Sequence, residues 1–313
     1  MNKEKRASSK ILIILMTYGS PKTIKEVPQY LKNIYEKKNA PKETIKEFQR
    51  RYKLIGGSPL VKITQEQAAA LEKELNERKT GKIFQVVAGM RFSHPFINKV
   101  IKENAEDAEK IIGIIMSPQY SPIIMNGYIK ELSTAVNELK NKSVQLTFAT
   151  DWHAQPYFLN ALAEKVKQAI STFPTNVQKH VIILFSVHSM PKRIIDKEPS
   201  YINDLKDTAA KVAKLVGLPK KRWMFCYQSA GHTPEEWLKP DFADIMPVLK
   251  AKGETHVLIA PVQFLADHLE ILYDVGIGAR EQAENQGIQF ARTESLNTSP
   301  LFIKALAEIA LKK

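Results

Sequence analysis

The sequence predicts an α/β protein made of two doubly wound, Rossmann-like parallel-sheet domains with a cleft between them. Short β-branched runs alternate with longer segments of helical period, as in parallel βαβ units. The chain has 313 residues, 44% of them hydrophobic, which is enough for more than one core. Four of the short apolar runs precede residue 150 and three follow it, so we expect one sheet in each half.

Each predicted strand is a short apolar run, and glycine, serine and proline punctuate nearly all of the strand exits. In a parallel α/β sheet, ligands bind just beyond the carboxyl ends of the strands, so these exits are where the chemistry should lie. The predicted strands are residues 11–16, 83–87, 111–116, 144–149, 180–187, 224–227 and 256–261.

The predicted helices fill the segments between the strands. Gly56 and Gly57 end one of them, and no Walker or dinucleotide fingerprint surrounds this pair, which argues against a phosphate-binding loop. The predicted helices are residues 24–37, 42–54, 64–78, 97–110, 129–141, 156–172, 201–215 and 301–311.

We predict a domain boundary near residue 149. The first domain would comprise residues 1–148 together with about 293–313, so that the C-terminal helix packs back on it. The second domain would comprise residues 149–292. The cleft between the two would then receive the strand exits of both halves.

The net charge of +13 indicates attraction to anions, which could be nucleic acid, an anionic membrane surface or a polycarboxylate substrate. Charge alone does not choose among them. Many of the lysines lie on or beside segments predicted as helices, which favours an ordinary solvated surface. Since no nucleic-acid module is recognisable, we expect no nucleic-acid partner.

The sequence also argues against a membrane span, a signal peptide and a site built from several cysteines. The longest apolar runs, such as residues 11–16, are far shorter than the roughly 20 residues that cross a bilayer, so no transmembrane helix is predicted. The basic first ten residues precede a strand-like run rather than a signal-peptide core, and we expect a cytoplasmic protein. The single cysteine, Cys226, rules out an internal disulfide or a four-cysteine metal site within one chain.

His188 and Glu270 are the strongest candidates for catalysis. Each follows an apolar run that is predicted to be a strand in the second half of the chain. If both lie beyond the carboxyl ends of strands in one sheet, they bring a base and a carboxylate to the same cleft.

Several motifs in order resemble those of the ferrochelatase family, from about residue 11 to the C-terminus. They are Ser-Val-His-Ser-Met-Pro at 186–191, Tyr-Gln-Ser at 227–229 followed by Trp-Leu-Lys-Pro-Asp at 237–241, and the segment 261–274; Ile-Gly-Gly-Ser-Pro at 55–59 adds a match in the first half. The resemblance implies the class II chelatase type of fold and insertion of Fe²⁺ into a porphyrin during haem biosynthesis. It implies no tightly bound cofactor, because the iron is a substrate.

Tyr18 refines this resemblance. The segment 17–21, Thr-Tyr-Gly-Ser-Pro, is similar to the bacterial coproporphyrin III ferrochelatases, in which a tyrosine here can bind the iron axially. The resemblance therefore implies coproporphyrin III as the substrate and Fe-coproporphyrin III as the product. A protoporphyrin IX ferrochelatase is the alternative. Further positions that the resemblance places on the porphyrin are Arg51, Tyr52, Ser58 and Tyr128.

The chemistry of the residues agrees with that implication. Metal insertion requires removal of two pyrrole protons and partial dehydration of the metal. His188 can accept a proton or bind metal, and Glu270 can bind metal or pass protons on, and the sequence does not divide these roles. If residues 267–274 are helical, Asp274 lies on the same face as Glu270, so His188, Glu270 and Asp274 are the predicted metal ligands.

Three positions depart from the family pattern. Tyr35 stands where an arginine is expected, Phe92 where a histidine is expected, with His94 two residues later, and Gly278 where the acidic track would continue. They motivate an alternative from another class, a non-catalytic tetrapyrrole-binding chaperone. A cobalt chelatase is a third hypothesis. A transient contact with another haem-pathway enzyme is a further expectation.

Overall fold

Two parallel four-stranded sheets form the framework of the protein. The structure, a computed structural model, describes residues 10–36, 38–231 and 235–313. Lys37, at the end of one predicted helix, and His232 therefore lie outside the described residues. The strands are β1 (Lys10–Thr17), β2 (Ile83–Met90), β3 (Lys110–Ile115), β4 (Gln145–Ala149), β5 (Ile182–His188), β6 (Trp223–Gln228), β7 (His256–Pro261) and β8 (Gln289–Arg292).

Both sheets have the same topology. The first has the order β2-β1-β3-β4 and the second the order β6-β5-β7-β8, with every neighbouring pair parallel. In each, the chain starts on an inner strand, adds one strand on one side and then crosses to the other side. This reversal creates a crevice at the carboxyl ends of β1 and β5, where doubly wound sheets bind their ligands. The predicted fold class is confirmed.

Helices cover both faces of the sheets, as parallel strands require. The short Gln178–His180 segment and the Ile24–Glu26 segment are 3-10 turns. Residues Glu270–Ala279 form a π-helix. The α-helices are α1 (Val27–Ile34), α2 (Lys42–Leu54), α3 (Leu60–Glu77), α4 (Ile97–Asn104), α5 (Pro122–Asn137), α6 (Pro156–Ser171), α7 (Lys192–Ile195), α8 (Pro199–Val216), α9 (Phe242–Ala251), α10 (Arg280–Asn285) and α11 (Pro300–Leu311).

One hydrophobic core joins the two sheets. Side chains on one face of β1 and β5 pack there with α3, α6, α8 and α11. The opposite face of β1 packs against α4 and α5, and the opposite face of β5 packs against α9 and the π-helix. Alternate residues of the central strands therefore point into different cores, and both cores are apolar. Burial on both faces fixes the register of these strands and so the position of the residues that follow them.

Helix α11 packs against α3 and also against α6. It thus contacts a helix that precedes the predicted boundary at residue 149 and one that follows it. The division into residues 1–148 with 293–313 and 149–292 stays a prediction. No helix in the described ranges is both long and apolar enough to span a bilayer.

The structure corrects several predicted boundaries. The helix predicted over 97–110 ends at Asn104, because the backbone has already joined the sheet where Glu109 N donates to Lys10 O. The predicted helix 129–141 begins instead at Pro122, since the Ser121 hydroxyl caps it by accepting from Ile124 N at 3.4 Å. Strand β5 begins at Ile182 rather than at residue 180, because a 3-10 turn precedes it.

Besides the 3-10 turns, five elements of the described residues were not predicted as such: β8, α7, α9, α10 and the π-helix. Helix α9 contains Pro247, which weakens a helical pattern in sequence. The segment 267–274 is only partly helical, since regular structure begins at Leu269 and Asp267 precedes it. The carboxylate of Asp267 instead accepts hydrogen bonds from Ser295 Oγ and Asn297 Nδ2, both at 3.0 Å.

Candidate active site

His188 is the last residue of β5 and stands at the crevice of the second sheet. Its backbone N–H donates to Gln263 Oε1 at 2.9 Å, and the next N–H, of Ser189, donates to Gln228 O at 2.7 Å. The ring Nδ1 is in hydrogen-bond contact with Ser189 O, an acceptor, so Nδ1 carries a proton. Nε2 is thereby turned toward Glu270, with 3.6 Å between Nε2 and Oε1.

Glu270 begins the π-helix and lies between two histidines. His188 faces Oε1, and His268 Nε2 is 3.8 Å from Oε2. Within the described part of the chain, the buried Oε2 atom accepts no hydrogen bond. An oxygen in that state is available to a ligand that enters the site.

The electrostatics of this group follow from burial and from the pairing. Burial raises the pKa of the Glu270 carboxyl, but the positive charges of His188 and His268 close to its two oxygens outweigh burial, and the pKa is held well below its usual range. Burial lowers the pKa of both imidazoles, and Glu270 more than reverses this, so both pKa values are raised. The pairing therefore favours an ionised carboxylate at Glu270 and the protonated forms of the two histidines.

Two kinds of chemistry suit this arrangement. A carboxylate oxygen and imidazole nitrogens form a donor set that divalent first-row metals accept. The same groups are also of the kinds that accept protons from, or donate them to, a bound molecule. The structure thus brings His188 and Glu270 together, as the sequence predicts, and adds His268. The sequence places His268 in a matched motif but assigns it no role.

Tyr18 lies on the other wall, just after β1 in the first sheet. Backbone hydrogen bonds join the exits of β1 and β2 here, since Arg91 N donates to Thr17 O and Phe92 N to Tyr18 O, each at 3.0 Å. The next residue, Gly19, has φ +89°, and a Cβ there would lie 2.3 Å from Ser93 Oγ, so only glycine fits. We call the space between this wall and Glu270 the cleft.

The side chain of Tyr18 is open to a ligand. The residue is 44% exposed, and its ring packs against Phe92 with 4.4 Å between ring centroids. Partial burial raises the pKa of its hydroxyl, Arg91 opposes the rise, and Glu270 adds to it. Because both charges act on Tyr18, the residues of the two walls share one electrostatic environment.

Arg91 is a cation of the cleft that the sequence analysis did not single out. Its guanidinium lies 4.7 Å from the ring centroid of Phe92 and 5.5 Å from that of Tyr128. A Cβ on Gly127 would lie 2.0 Å from the guanidinium carbon, so the arginine rests directly on that glycine. In the sequence, only the position of Arg91 directly after β2 indicated that it could lie in the cleft.

Arg51 and Asp274 meet across the cleft rather than standing free. Arg51 Nη1 lies 3.4 Å from Asp274 Oδ1, and the Ser229 hydroxyl donates to Asp274 Oδ2 at 2.5 Å. Arg51 also donates to Glu47 at 2.8 Å and lies over the Tyr273 ring. Burial raises the pKa of Asp274, and the Ser229 hydrogen bond opposes it. The predicted metal ligand and the predicted substrate contact thus form an ion pair with each other.

The remaining predicted residues differ in exposure. Tyr52 is 4% exposed and Tyr128 is 5% exposed, so each contributes little surface. Burial raises the pKa of Tyr52, and the charge of Glu270 adds to that rise. Ser58 lies between α2 and α3, where its hydroxyl accepts from Leu60 N at 3.4 Å. Contact of these three with a porphyrin stays a prediction.

A family model described as Ferrochelatase matches residues 10–313. A protein of Herpetosiphon aurantiacus named Ferrochelatase is 36% identical over 304 residues, which cover 96% of this chain and 98% of that protein. The Coproporphyrin III ferrochelatase of Geobacillus kaustophilus is 35% identical over 304 residues, covering 96% and 95% of the two chains. A Deinococcus radiodurans protein named Ferrochelatase is 34% identical over 303 residues, covering 96% and 95%.

Solved structures of two other chelatases share the fold. CbiX, described as the terminal enzyme for siroheme biosynthesis in denitrifying bacteria, superposes with a TM-score of 0.55 at 13% identity, covering 97% of this chain and 98% of its own. SirB from Bacillus subtilis with Fe³⁺ superposes with a TM-score of 0.56 at 11% identity, covering 97% and 95%. At these identities the similarity concerns the fold alone, and it confirms the class II chelatase type of architecture.

Proposed function

This chain belongs to the ferrochelatase family, and we propose that it inserts Fe²⁺ into coproporphyrin III to give Fe-coproporphyrin III in haem biosynthesis. It is a metal chelatase of the lyase class, with a porphyrin and a metal ion as substrates. The choice of coproporphyrin III is the proposed part. Relatives of that name at 35% and 34% identity over nearly the whole chain support it.

The observation that carries the proposal is the Glu270 carboxylate, ionised between two histidines on one wall of the cleft, with Tyr18 on the other wall. Insertion exchanges two pyrrole protons for one Fe²⁺. We assign the first proton to Glu270, because it is the ionised base of the group. His188 loses its own proton to solvent water as the dication approaches and then offers Nε2 to the metal. The second pyrrole proton also leaves to solvent water.

The opposite wall would hold the porphyrin and its iron. We assign Tyr18 as the axial ligand, since this residue is 44% exposed. Arg51 would bind a substrate carboxylate through its guanidinium, with Tyr52, Ser58 and Tyr128 shaping the porphyrin site. Asp274 would guide the metal toward Glu270, once Arg51 has moved to the substrate.

The remaining expectations belong to the same proposal. Iron enters as a substrate and no cofactor is held tightly. The enzyme works in the cytoplasm, and it contacts another enzyme of the haem pathway transiently when the product leaves.

An anaerobic insertion assay tests the reaction. We expect the purified protein to metallate coproporphyrin III with Fe²⁺ faster than protoporphyrin IX. His188→Ala and Glu270→Gln should each lower the rate by about two orders of magnitude, the usual contribution of a positioned acid or base. His180→Ala, at an exposed histidine outside the cleft, is the matched control and should leave the rate unchanged.

Different results would overturn different parts of the proposal. Absence of metallated product from both porphyrins would contradict insertion of iron, and tight haem binding in its place would indicate the chaperone alternative. Faster turnover of protoporphyrin IX would overturn only the assignment of coproporphyrin III as the substrate. Preferred insertion of Co²⁺ in a competition with Fe²⁺ would overturn the assignment of iron as the metal substrate.

A further inference from the structure

The backbone of His188 extends beyond the ladder that β5 shares with β7. Residues of β5 alternate in the side to which their N–H and C=O groups point, so those of Ser186 and His188 face β7. The last backbone bond on that side is the one from Val262 N to Ser186 O, at 3.1 Å. Strand β7 ends at Pro261, and so no β7 carbonyl stands opposite His188 N.

The side chain of Gln263 occupies the place of that missing carbonyl. Its Oε1 accepts from His188 N at 2.9 Å. Its Nε2 donates to Tyr201 Oη at 2.5 Å, and Tyr201 is a fully buried residue of α8, 1% exposed. One amide thus joins the end of the catalytic strand to a helix anchored in the shared core.

The other side of the strand end keeps a backbone bond to β6, beside the Ser189 hydroxyl, which donates to Leu238 O at 2.9 Å. Ser189 N donates to Gln228 O at 2.7 Å, which continues the ladder with β6 by one more bond. A side-chain substitution cannot remove that bond. On the β7 side, by contrast, the contact depends on a single glutamine and can be tested by mutation.

We propose that Gln263 is a positioning residue, which fixes the backbone of His188 so that Nε2 faces Glu270. The reason is geometric, since Nε2 and Oε1 lie 3.6 Å apart and the ring follows its backbone. A misplacement of about 1 Å at a reacting group can cost roughly a hundredfold in rate. Tyr201 acts one step further away by fixing the amide plane of Gln263. This inference rests on the proposed role of His188 in iron insertion.

Gln263→Ala and Gln263→Glu form the central test. We expect Gln263→Ala to lower kcat for iron insertion about tenfold, the equivalent of one lost hydrogen bond, with KM for coproporphyrin III unchanged. Gln263→Glu should recover most of the loss. Its carboxylate can accept from His188 N and also from Tyr201 O–H, because a tyrosine hydroxyl both donates and accepts. Gln282→Ala, at an exposed glutamine of α10, is the control.

Tyr201→Phe tests the second step with a change that keeps the aromatic ring. Alone, Tyr201→Phe should lower kcat about threefold, which corresponds to part of the free energy of one hydrogen bond. Combined with Gln263→Ala it should cost nothing more, since the two residues act through one amide. Full additivity of the two losses would contradict the proposed connection.

Hydrogen exchange gives a readout that does not depend on activity. Gln263→Ala should speed amide exchange at His188, whereas Gln282→Ala should not. If the wild-type protein failed to insert iron, the proposed function would fall while this measurement still decided the positioning. Unchanged exchange at His188, a kcat for Gln263→Ala within twofold of wild type, or a Gln263→Glu variant as impaired as Gln263→Ala would each overturn the inference.

Discussion

At the scale of single residues, the pKa values of Glu270 and its two neighbouring histidines bear on which group takes up the first proton in the proposed reaction. Both histidines beside Glu270 have raised pKa values, because the carboxylate stabilises their protonated forms more than burial opposes them. A protonated imidazole cannot accept a further proton. In the proposed reaction Glu270 is therefore the first base, and His188 becomes available as a ligand only after it releases a proton. The sequence left this division open.

Glu270→Gln should lower the pKa of His188. In the wild-type protein, burial lowers this pKa while Glu270 raises it, with a net rise. An amide at position 270 removes the opposite charge and leaves burial, which favours the neutral ring. The midpoint of an NMR titration of the His188 ring should therefore move to lower pH.

The control for this titration is Glu103→Gln. Glu103 pairs with Lys99 at 3.8 Å on an exposed face of α4, with 58% of its side chain accessible. Like Glu270→Gln, the Glu103→Gln substitution removes one negative charge from the protein. A midpoint for His188 that stays in place in Glu270→Gln, or that moves equally in both variants, would contradict the pairing.

Arg51→Ala should weaken binding of coproporphyrin III. A charge-assisted hydrogen bond contributes about 1.5–3 kcal/mol, so KM should rise at least about tenfold while kcat changes little. Steady-state kinetics measure both. Lys53→Ala removes an exposed cation from the same helix and should leave KM near the wild-type value. Equal effects of the two variants would indicate that only overall charge matters.

At the scale of elements, the π-helix decides how the acidic groups are presented. It runs from Glu270 to Ala279, whereas most π-helical segments are single turns inside α-helices and often occur at functional sites. Ile271, Val275 and Ala279 are buried on one side, against the outer core of the second sheet. Glu270 and Asp274 precede two of these anchors and face the cleft. Packing at every fourth residue thus holds the acidic side in place.

Two glycine substitutions should shift thermal stability in opposite directions. Gly278 lies in the π-helix, and the nearest atom to an added Cβ, Tyr273 O, is 3.8 Å away, so Gly278→Ala fits. The change restricts the unfolded chain and should stabilise by about 0.4–1 kcal/mol. Gly217 ends α8 with φ +82°, a conformation that alanine resists, so Gly217→Ala should destabilise by about 1 kcal/mol.

Calorimetry of both variants checks this pair. The unfolding midpoint should rise in Gly278→Ala and fall in Gly217→Ala. A fall in both would indicate that the π-helix requires glycine at position 278 for a reason other than space around the Cβ.

At the scale of the whole molecule, two sheets of one topology face their crevices toward a common cleft. The cleft receives Tyr18 from the first sheet and His188 from the second, and the shared core of α3, α6, α8 and α11 holds the sheets together. The protein also carries a net charge of +13. Such a field attracts polycarboxylate substrates over a distance set by the ionic strength.

Salt should therefore slow the reaction of coproporphyrin III more than that of protoporphyrin IX. The first carries four carboxylates and the second two, while screening shortens from roughly 10 Å at 0.1 M to 3 Å at 1 M salt. We expect kcat/KM for coproporphyrin III to fall about tenfold over this range, as for other electrostatically steered encounters. Parallel kinetics with both porphyrins measure the difference. Identical salt dependence would show that the net charge does not guide the substrate.

The sequence by itself determined the fold class and the residues at the strand exits. Apolar runs separated by helical segments specify parallel strands with helices on both faces, because burial on both sides leaves few other solutions. Tyr18, His188 and Glu270 follow from that pattern and from the matched motifs. The structure confirms the class and places His188 and Glu270 side by side.

Tertiary structure alone decided which side chains from distant parts of the sequence meet around the cleft. Nothing local in the sequence relates Arg91 to Tyr128, or Gln263 to His188 and Tyr201. The π-helix likewise depends on the tertiary structure, because packing against the outer core, rather than residue propensity, sets its hydrogen-bond pattern. Periodicity reports which face of an element is buried, whereas the partner of each polar group depends on how separate elements meet in space.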